Sequence, residues 1–203
     1  MPASPVTIVN IGYRSTNYWV VSAGTSRVLV DLGWPGMLGA LRANLERMGV
    51  PFGEIRYGLA THYHGDHAGL AQELKQLGMP LLVLEHQVPA IPLLKQWMKP
   101  QDHYVDITLH DNVTIPLRDS RALLGRIGIP GEILPTPGHS DDSVSLLLDD
   151  GSVFTGDLTA PGFVGPEDPD VVAASWRLLR ERGATRVYPG HGPIRPMPSE
   201  PIS

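Results

Sequence analysis

The sequence contains no cysteine. This absence excludes disulfide bonds, metal sites with thiolate ligands and cysteine nucleophiles. It identifies no compartment, because a chain without cysteine is stable in either redox environment. A GxSxG motif is also missing, so a serine nucleophile of the α/β-hydrolase type has no support.

Long apolar runs and an excess of positive charge are missing as well. No run approaches the roughly 18 apolar residues of a membrane helix, and the start MPASPVTIVNIGYR does not resemble a signal peptide. Lys and Arg number 16 against 21 Asp and Glu, a formal net charge of −5, which argues against a broad phosphate-binding surface. We therefore expect a cytoplasmic protein that acts on a small molecule and binds neither membrane nor nucleic acid, while its oligomeric state is left open.

The chain of 203 residues has a globular composition, with 42% hydrophobic and 18% charged residues. It predicts a single domain, residues 1–203, with helices packed outside β-sheets. β-Branched and apolar runs predict strands at Val6–Ile11, Tyr18–Ser22, Arg27–Asp31, Ile55–Ala60, Pro80–Glu85, Val113–Leu117, Glu132–Pro135, Val144–Leu148, Val153–Thr155 and Thr185–Tyr188. Apolar spacings of three and four predict helices at Leu38–Met48, Leu70–Leu77, Arg121–Ile127 and Val171–Arg182, and a further helix at Ile91–Met98 is compatible with the pattern.

Potential metal ligands follow four of the predicted strands directly. The segment THYHGDH, residues 61–67, carries three of the eight histidines and one aspartate, and single ligands stand later in the chain. The candidates are His62, His64, Asp66, His67, His139, Asp157 and His191. Because the ends of neighbouring strands share one edge of a sheet, these side chains are expected to meet there.

The spacing inside the segment supports a site for two metals. His62 and His64 are two residues apart and face the same side of an extended chain, whereas Asp66 and His67 lie where the next helix starts. Imidazole and carboxylate suit zinc, iron or manganese. Taken singly, Asp66 is also compatible with a helix cap, His139 and His191 with ordinary loop histidines, and Asp157 with a turn residue.

The ligand pattern resembles the metallo-β-lactamase superfamily. HYHGDH with His139, Asp157 and His191 matches its HxHxDH motif and later ligands in order, and the phrases VDLG, TPGH, TGD and PGHG match too. The resemblance implies an α/β protein with a four-layer αββα sandwich and two divalent metal ions, with zinc expected and iron or manganese as alternatives. It implies that His62, His64 and His139 hold the first metal and that Asp66, His67 and His191 hold the second.

Residue types narrow the choice of branch within this superfamily. Asp157 as a bridging carboxylate resembles the glyoxalase II, lactonase and RNase Z branches, whereas the thiolate-dependent β-lactamases need a cysteine that this chain lacks. The chain ends 12 residues after His191, without the C-terminal helical domain by which glyoxalase II recognises glutathione. The basic, glycine-rich arm of RNase Z has no counterpart either.

The resulting hypothesis is a binuclear metallohydrolase of a small ester, lactone or thioester, in which a hydroxide bridging two metal ions attacks the carbonyl. Asp66 is the candidate catalytic residue for moving a proton to the leaving group. Three alternatives stay open: a mononuclear iron enzyme like the persulfide dioxygenases, a phosphodiesterase or nuclease, and a binding protein without catalysis.

Residues around the ligands are assigned more broadly. Asp31 is predicted to hold a histidine ligand in place, although a turn aspartate fits the same position. The substrate-binding residues are unknown, but the pocket walls are expected from Tyr13–Tyr18, Trp34, residues 87–105 and Thr159–Pro166, which are loops or irregular segments. His86, His103 and His110 are expected to be ordinary surface or core histidines.

Overall fold

Strands and helices alternate along the chain much as the sequence predicts. The computed structural model describes residues 5–161 and 166–199. The strands of these residues are β1 Val6–Asn10, β2 Trp19–Ala23, β3 Ser26–Val30, β4 Ile55–Leu59, β5 Leu81–Leu84, β6 Val113–Ile115, β7 Gly131–Pro135, β8 Val144–Leu148, β9 Ser152–Gly156, β10 Arg186–Pro189 and β11 Arg195–Pro196. The α-helices are α1 Leu38–Arg47, α2 Gly65–Ala68, α3 Ala71–Gln76, α4 Ser120–Arg126 and α5 Pro169–Glu181.

The strands form two sheets. The six-stranded sheet has the order β1-β2-β3-β4-β5-β6, and the five-stranded sheet has the order β11-β10-β9-β8-β7. In the first sheet, β3, β4, β5 and β6 are parallel, and β1 and β2 are antiparallel to their neighbours. Parallel neighbours need a crossover connection, and helices α2 and α3 supply it between β4 and β5.

Three apolar clusters separate four layers. One face of the first sheet packs against helices α1 and α3, with Leu29 and Leu81 against Leu41 and Leu74. Its other face packs against the second sheet in a cluster that includes Val21, Val28, Leu82, Leu146, Phe154 and Tyr188. The far face of the second sheet packs on α5 through Leu147, Val153, Val187, Trp176 and Leu179. Successive side chains of a strand point to opposite faces, so each sheet serves two clusters, and the predicted αββα sandwich is confirmed.

The segment after β5 differs from the expectation. A helix over Ile91–Met98 is compatible with the apolar spacing, but the chain forms a run of 3-10 turns over Glu85–Trp97 with Pro89 and Pro92 inside it. Proline lacks an amide proton and its ring clashes with the carbonyl one turn earlier, so a regular α-helix does not form there. The α-helix at this position is therefore wrong.

None of the helices in the described parts of the chain is long and apolar enough to cross a membrane.

A buried glutamine ties the first sheet to the loop that follows β7. Gln87 is 0% exposed, and its Nε2 donates to the carbonyl oxygens of Ala60, at 3.2 Å, and Asp142, at 3.1 Å. The Asp142 carboxylate in turn accepts from the backbone N–H of Tyr63 at 2.8 Å. These bonds fix the backbone on both sides of His62, so they set the place of the first histidines.

Replacing Gln87 by leucine should destabilise the protein without changing its fold. The variant Gln87→Leu leaves buried carbonyl groups without this donor, which typically costs about 1–3 kcal/mol. Urea unfolding of the metal-free protein should show that loss. The exposed Gln76→Leu on α3 is the control, and equal unfolding free energies for the two variants would contradict the role of Gln87.

Candidate metal centre

All seven predicted ligand residues lie at one edge of the sandwich. They follow the ends of β4, β7, β9 and β10, and they form two clusters. The first cluster is His62, His64 and His139, and the second is Asp66, His67, Asp157 and His191. Within each cluster, one ligand atom from every residue lies within 4.8 Å of the others.

The first cluster joins three imidazole rings from both sheets. His64 Nδ1 lies 3.0 Å from His139 Nε2, and the ring centroids of His62 and His139 are 4.8 Å apart. His62 Nε2 is buried and has no hydrogen-bond partner among the described residues. Burial lowers the pKa of His62 and of His64, and neighbouring histidines lower them further. Neutral rings with converging nitrogens are suited to a cation.

The second cluster brings two carboxylates against two imidazoles. Asp66 Oδ2 lies 3.1 Å from His191 Nε2 and 3.4 Å from His67 Nε2. Asp157 approaches the same rings, with Oδ1 3.2 Å from His67 Nε2 and Oδ2 3.3 Å from His191 Nε2. Asp157 Oδ2 is also 3.8 Å from His139 Nε2. This aspartate therefore stands between the clusters, at the position where the resemblance implies a bridging carboxylate.

Charge pairing dominates the second cluster. Hydrogen bonds to Asp157 and Asp66 raise the pKa of His191 to about 10. Burial opposes charge on His67, but the carboxylate of Asp31, with those of Asp157 and Asp66, outweighs it and raises the pKa of His67 well above its ordinary value. Burial likewise acts to raise the pKa of Asp66 and Asp157, but His191 and His67 outweigh it and lower both.

The donor set fits divalent metal ions. The ligand atoms are imidazole nitrogens and carboxylate oxygens, which zinc, iron and manganese accept. Besides His62 Nε2, the buried atoms His67 Nε2 and Asp157 Oδ1, which lie 3.2 Å apart, make no hydrogen bond of suitable geometry among the described residues. Buried polar atoms are rarely left without a partner, so these three atoms mark where ions would bind.

Asp31 holds His67 from behind. It follows β3 with a φ of +65°, a left-handed conformation that few residues other than glycine adopt, and it is 1% exposed. Its Oδ2 lies 2.8 Å from His67 Nδ1, and its Oδ1 accepts from the N–H and hydroxyl of Thr61, both at 2.8 Å. A carboxylate on Nδ1 leaves Nε2 free for a metal.

Other histidine ligands have similar partners, and the sequence indicated only Thr61 among them, as a weaker candidate than Asp31. The carbonyl oxygen of Ser15 lies 2.7 Å from His191 Nδ1, and Glu167 Oε1 lies 3.9 Å from His139 Nδ1. Thr61 Oγ1 lies 3.2 Å from His62 Nδ1. Ser15 and Glu167 belong to no motif, and their contacts span 176 and 28 positions, so only the folded chain reveals them.

The expected pocket walls are found around the clusters in part. Met98 lies against Gly65, where a Cβ atom would be 2.7 Å from its Cε, so the segment after β5 covers α2. A cavity of about 410 Å³ opens beside His139; Pro166 on its wall was expected, whereas Asp141, Glu167 and Val171 were not. Of the predicted Thr159–Pro166 wall, residues 162–165 lie outside the described residues. His86, His103 and His110 belong to neither cluster.

Changing Asp31 to asparagine should weaken metal binding at the second cluster. An amide presents N–H donors on one side, and both sides of Asp31 face donors: Thr61 on one and His67 Nδ1–H on the other. The mismatch favours the His67 tautomer that cannot bind a metal, so affinity should fall about 10- to 100-fold. Zinc titration of metal-free Asp31→Asn measures it. Asp149→Asn, in an exposed ion pair with Arg121, should bind zinc like the wild type.

The two clusters should also respond differently to pH. Since the pKa of His191 is raised to about 10 and that of His67 is raised as well, both rings carry protons at neutral pH and must release them before binding a metal. Affinity at the second cluster should therefore rise steadily between about pH 6 and pH 9, whereas the first cluster, in which the pKa values of His62 and His64 are lowered, should change less over the same range. Calorimetric titration in buffers of different ionisation enthalpy counts the protons, and parallel pH dependence at both clusters would refute the assignment.

Comparisons with known proteins find relatives that match most of this chain. The chain is 28% identical over 188 residues to the Beta-lactamase-like protein 2 homolog of Caenorhabditis elegans, covering 89% of this chain and 57% of that protein. It is also 28% identical to the Probable metallo-hydrolase MJ0888 of Methanocaldococcus jannaschii, covering 90% of both chains. The chain spans about half the length of several curated relatives that it matches.

A solved structure and a family model identify the fold and the family of the chain. The crystal structure of TTHA1623 in a di-iron-bound form superposes with a TM-score of 0.71 at 28% identity, covering 94% of each chain. The model of the metallo-β-lactamase superfamily matches residues 11–191, which include all seven candidate ligands. The chain therefore belongs to the metallo-β-lactamase superfamily.

Proposed function

We propose that this protein is a binuclear metal-dependent hydrolase of a small ester, lactone or thioester. The observation that carries the proposal is the placement of Asp157 between two ligand clusters, 3.3 Å from His191 and 3.8 Å from His139. A carboxylate shared in this way is suited to two adjacent cations. The proposal includes zinc as the resident metal, and membership of a glyoxalase II-like or lactonase-like branch.

The seven residues would bind the two ions, and Asp66 would also move a proton. The first cluster would hold one ion through three imidazoles, and the second would hold another through Asp66, His67 and His191, with Asp157 shared. When bound, two divalent ions supply Lewis acidity and make water acidic enough to give hydroxide at neutral pH. Asp66 is ionised at neutral pH, because His191 and His67 lower its pKa. The catalytic role we assign to it is the transfer of a proton to the leaving group.

Several features support a small substrate. The cavity beside His139 is about 410 Å³, which is in the range of sites for small molecules. The formal net charge of −5 does not favour a polyanion, so nucleic acid is not among the proposed partners. MJ0888, which matches over most of its length, is described as a probable metallo-hydrolase. The cytoplasmic location and the choice among ester, lactone and thioester stay predictions.

An iron-dependent oxidoreductase is the second candidate, and one observation favours it. The crystal structure of TTHA1623, a similar chain at 28% identity, is of a di-iron-bound form, which supports iron as the metal but not the number of one iron. Metal analysis separates the candidates: about two zinc ions per chain support the hydrolase, and one iron with oxygen uptake on a persulfide supports the oxidoreductase. No observation favours the nuclease alternative.

Removing the shared carboxylate should abolish metal loading and hydrolysis together. In Asp157→Ala, the second cluster loses one of its two carboxylates and the link to His139, so we expect at most one ion per chain and a loss of activity of at least about 100-fold. Metal content is measured on protein purified without chelator, and hydrolysis is measured on panels of lactones and thioesters.

The controls make the outcome specific. Asp150→Ala changes an exposed aspartate in the turn between β8 and β9, and it should keep both ions and full activity. Removing the ions from wild-type protein with a chelator should abolish hydrolysis, and zinc should restore it. An Asp157→Ala variant with full activity would show that the bridged site is not the catalytic one.

A further inference from the structure

A buried hydroxyl outside the predicted ligand set contacts the second cluster. Thr16 lies in the loop between β1 and β2 and is 2% exposed, and its Oγ1 donates to Asp66 Oδ2 at 3.2 Å. The same oxygen of Asp66 faces Nε2 of both His67 and His191, at 3.4 and 3.1 Å. Thr16 therefore binds the carboxylate oxygen that points to the ligand atoms of the second cluster.

A third side chain fixes the direction of this hydrogen bond. Trp34 Nε1 lies 3.3 Å from Thr16 Oγ1, and an indole N–H can only donate. Thr16 thus accepts from Trp34, and its single proton is available for Asp66, a carboxylate that only accepts. Tyr18 also borders Thr16, but its hydroxyl has no hydrogen-bond partner of suitable geometry among the described residues.

The indole is itself held in place. The Trp34 backbone N–H donates to the Tyr13 hydroxyl at 3.2 Å, and the Arg14 guanidinium lies 5.6 Å from the ring centroid. Arg14 adopts a φ of +57°, a conformation that costs a bulky residue free energy. The hydrogen bond between the Trp34 backbone and the Tyr13 hydroxyl and the Arg14 cation on the ring face leave the Trp34 side chain little freedom to turn away from Thr16.

The loop that carries Thr16 holds a second ligand of the same cluster. The Ser15 carbonyl oxygen lies 2.7 Å from His191 Nδ1, and the Asn17 backbone N–H donates to the Gly190 carbonyl oxygen at 2.7 Å. Residues 15–17 therefore contact Asp66 and the segment that bears His191. Among the described residues, no hydrogen bond joins residues 15–17 to His62, His64 or His139.

We propose that Thr16 is a positioning residue for the second metal site, acting through Asp66 under the control of Trp34. This inference rests on the proposed two-metal function. The hydrogen bond from Thr16 keeps Asp66 Oδ2 directed at the ring nitrogens of His67 and His191. Partners of metal ligands typically change metal affinity about 10- to 100-fold.

The test is a stepwise cobalt titration of metal-free protein, followed by absorption spectroscopy and calorimetry. Thr16→Val keeps the shape of the side chain and removes the hydroxyl, so binding at the second cluster (the second step, whichever cluster fills first) should weaken by about 10-fold or more, while binding at the first cluster (the first step) changes less than about twofold. Thr16→Ser should restore the second step. Trp34→Phe should give a smaller loss, because the Thr16 hydroxyl is then free to turn.

A matched control and three outcomes make the test decisive. Thr108→Val removes another bonded threonine hydroxyl, one that contacts Lys75 and Gln72, and it should leave both steps unchanged. Wild-type affinity at the second step in Thr16→Val, equal weakening of both steps, or failure of Thr16→Ser to restore binding would each overturn the role of Thr16. A wild-type protein that takes up only one ion would overturn the two-metal function and this inference with it.

Discussion

The centre depends on the two sheets keeping their edges together. The ligands of each cluster come from both sheets: His62 and His64 follow β4 of the first sheet, whereas His139 follows β7 of the second. The backbone N–H of Val144 donates to the Thr61 carbonyl oxygen at 2.8 Å, and Gln87 bonds to carbonyl groups on both sides of the same junction. A shift of one sheet would separate the candidate ligands of both clusters at once.

Close packing at this junction leaves room only for glycine at two positions. Gly156 has a φ of +52°, and a Cβ atom there would collide with the Thr61 side chain. A Cβ atom on Gly190 would collide with the Asp157 carboxylate and lie 2.6 Å from His67 Cε1. Both glycines stand directly before ligands, at the ends of β9 and β10. The same residues therefore end the strands and let the neighbouring ligands approach one another.

The sequence predicts the parts of this molecule that are local or that carry a periodic pattern. The alternating and apolar runs mark the strands, and HYHGDH marks the site, because a single segment holds four of the seven ligands. The family resemblance and the αββα sandwich that it implied are confirmed. The segment Ile91–Met98 is not an α-helix, because Pro89 and Pro92 lie in the 3-10 run Glu85–Trp97 and apolar spacing alone does not take prolines into account.

Contacts between distant segments lie beyond what the sequence can show. Asp31 was identified through its place in a familiar phrase, whereas Thr16 and Ser15 precede no motif and meet their partners across 50 and 176 positions. Their roles depend on the angle at which the β1–β2 loop crosses the site. That angle results from the pairing of β1 with β2 and from the bonds of Asn17 to the segment after β10.

The two clusters would differ in what they need before a metal binds. The rings of His62 and His64 have lowered pKa values, and the Nδ1 atoms of His62 and His139 face Thr61 and Glu167. The second cluster assembles two carboxylates with two imidazoles whose pKa values are raised. With protons on His67 and His191, the opposite charges hold the cluster together in the metal-free chain.

When ions replace those protons, the rings lose their charge, and the orientation of each ligand then depends on the neighbours that hold it from outside: Asp31 on His67, Ser15 on His191 and Thr16 on Asp66. The polar contacts around the second cluster are therefore a requirement of binding a metal in a site that is already charged.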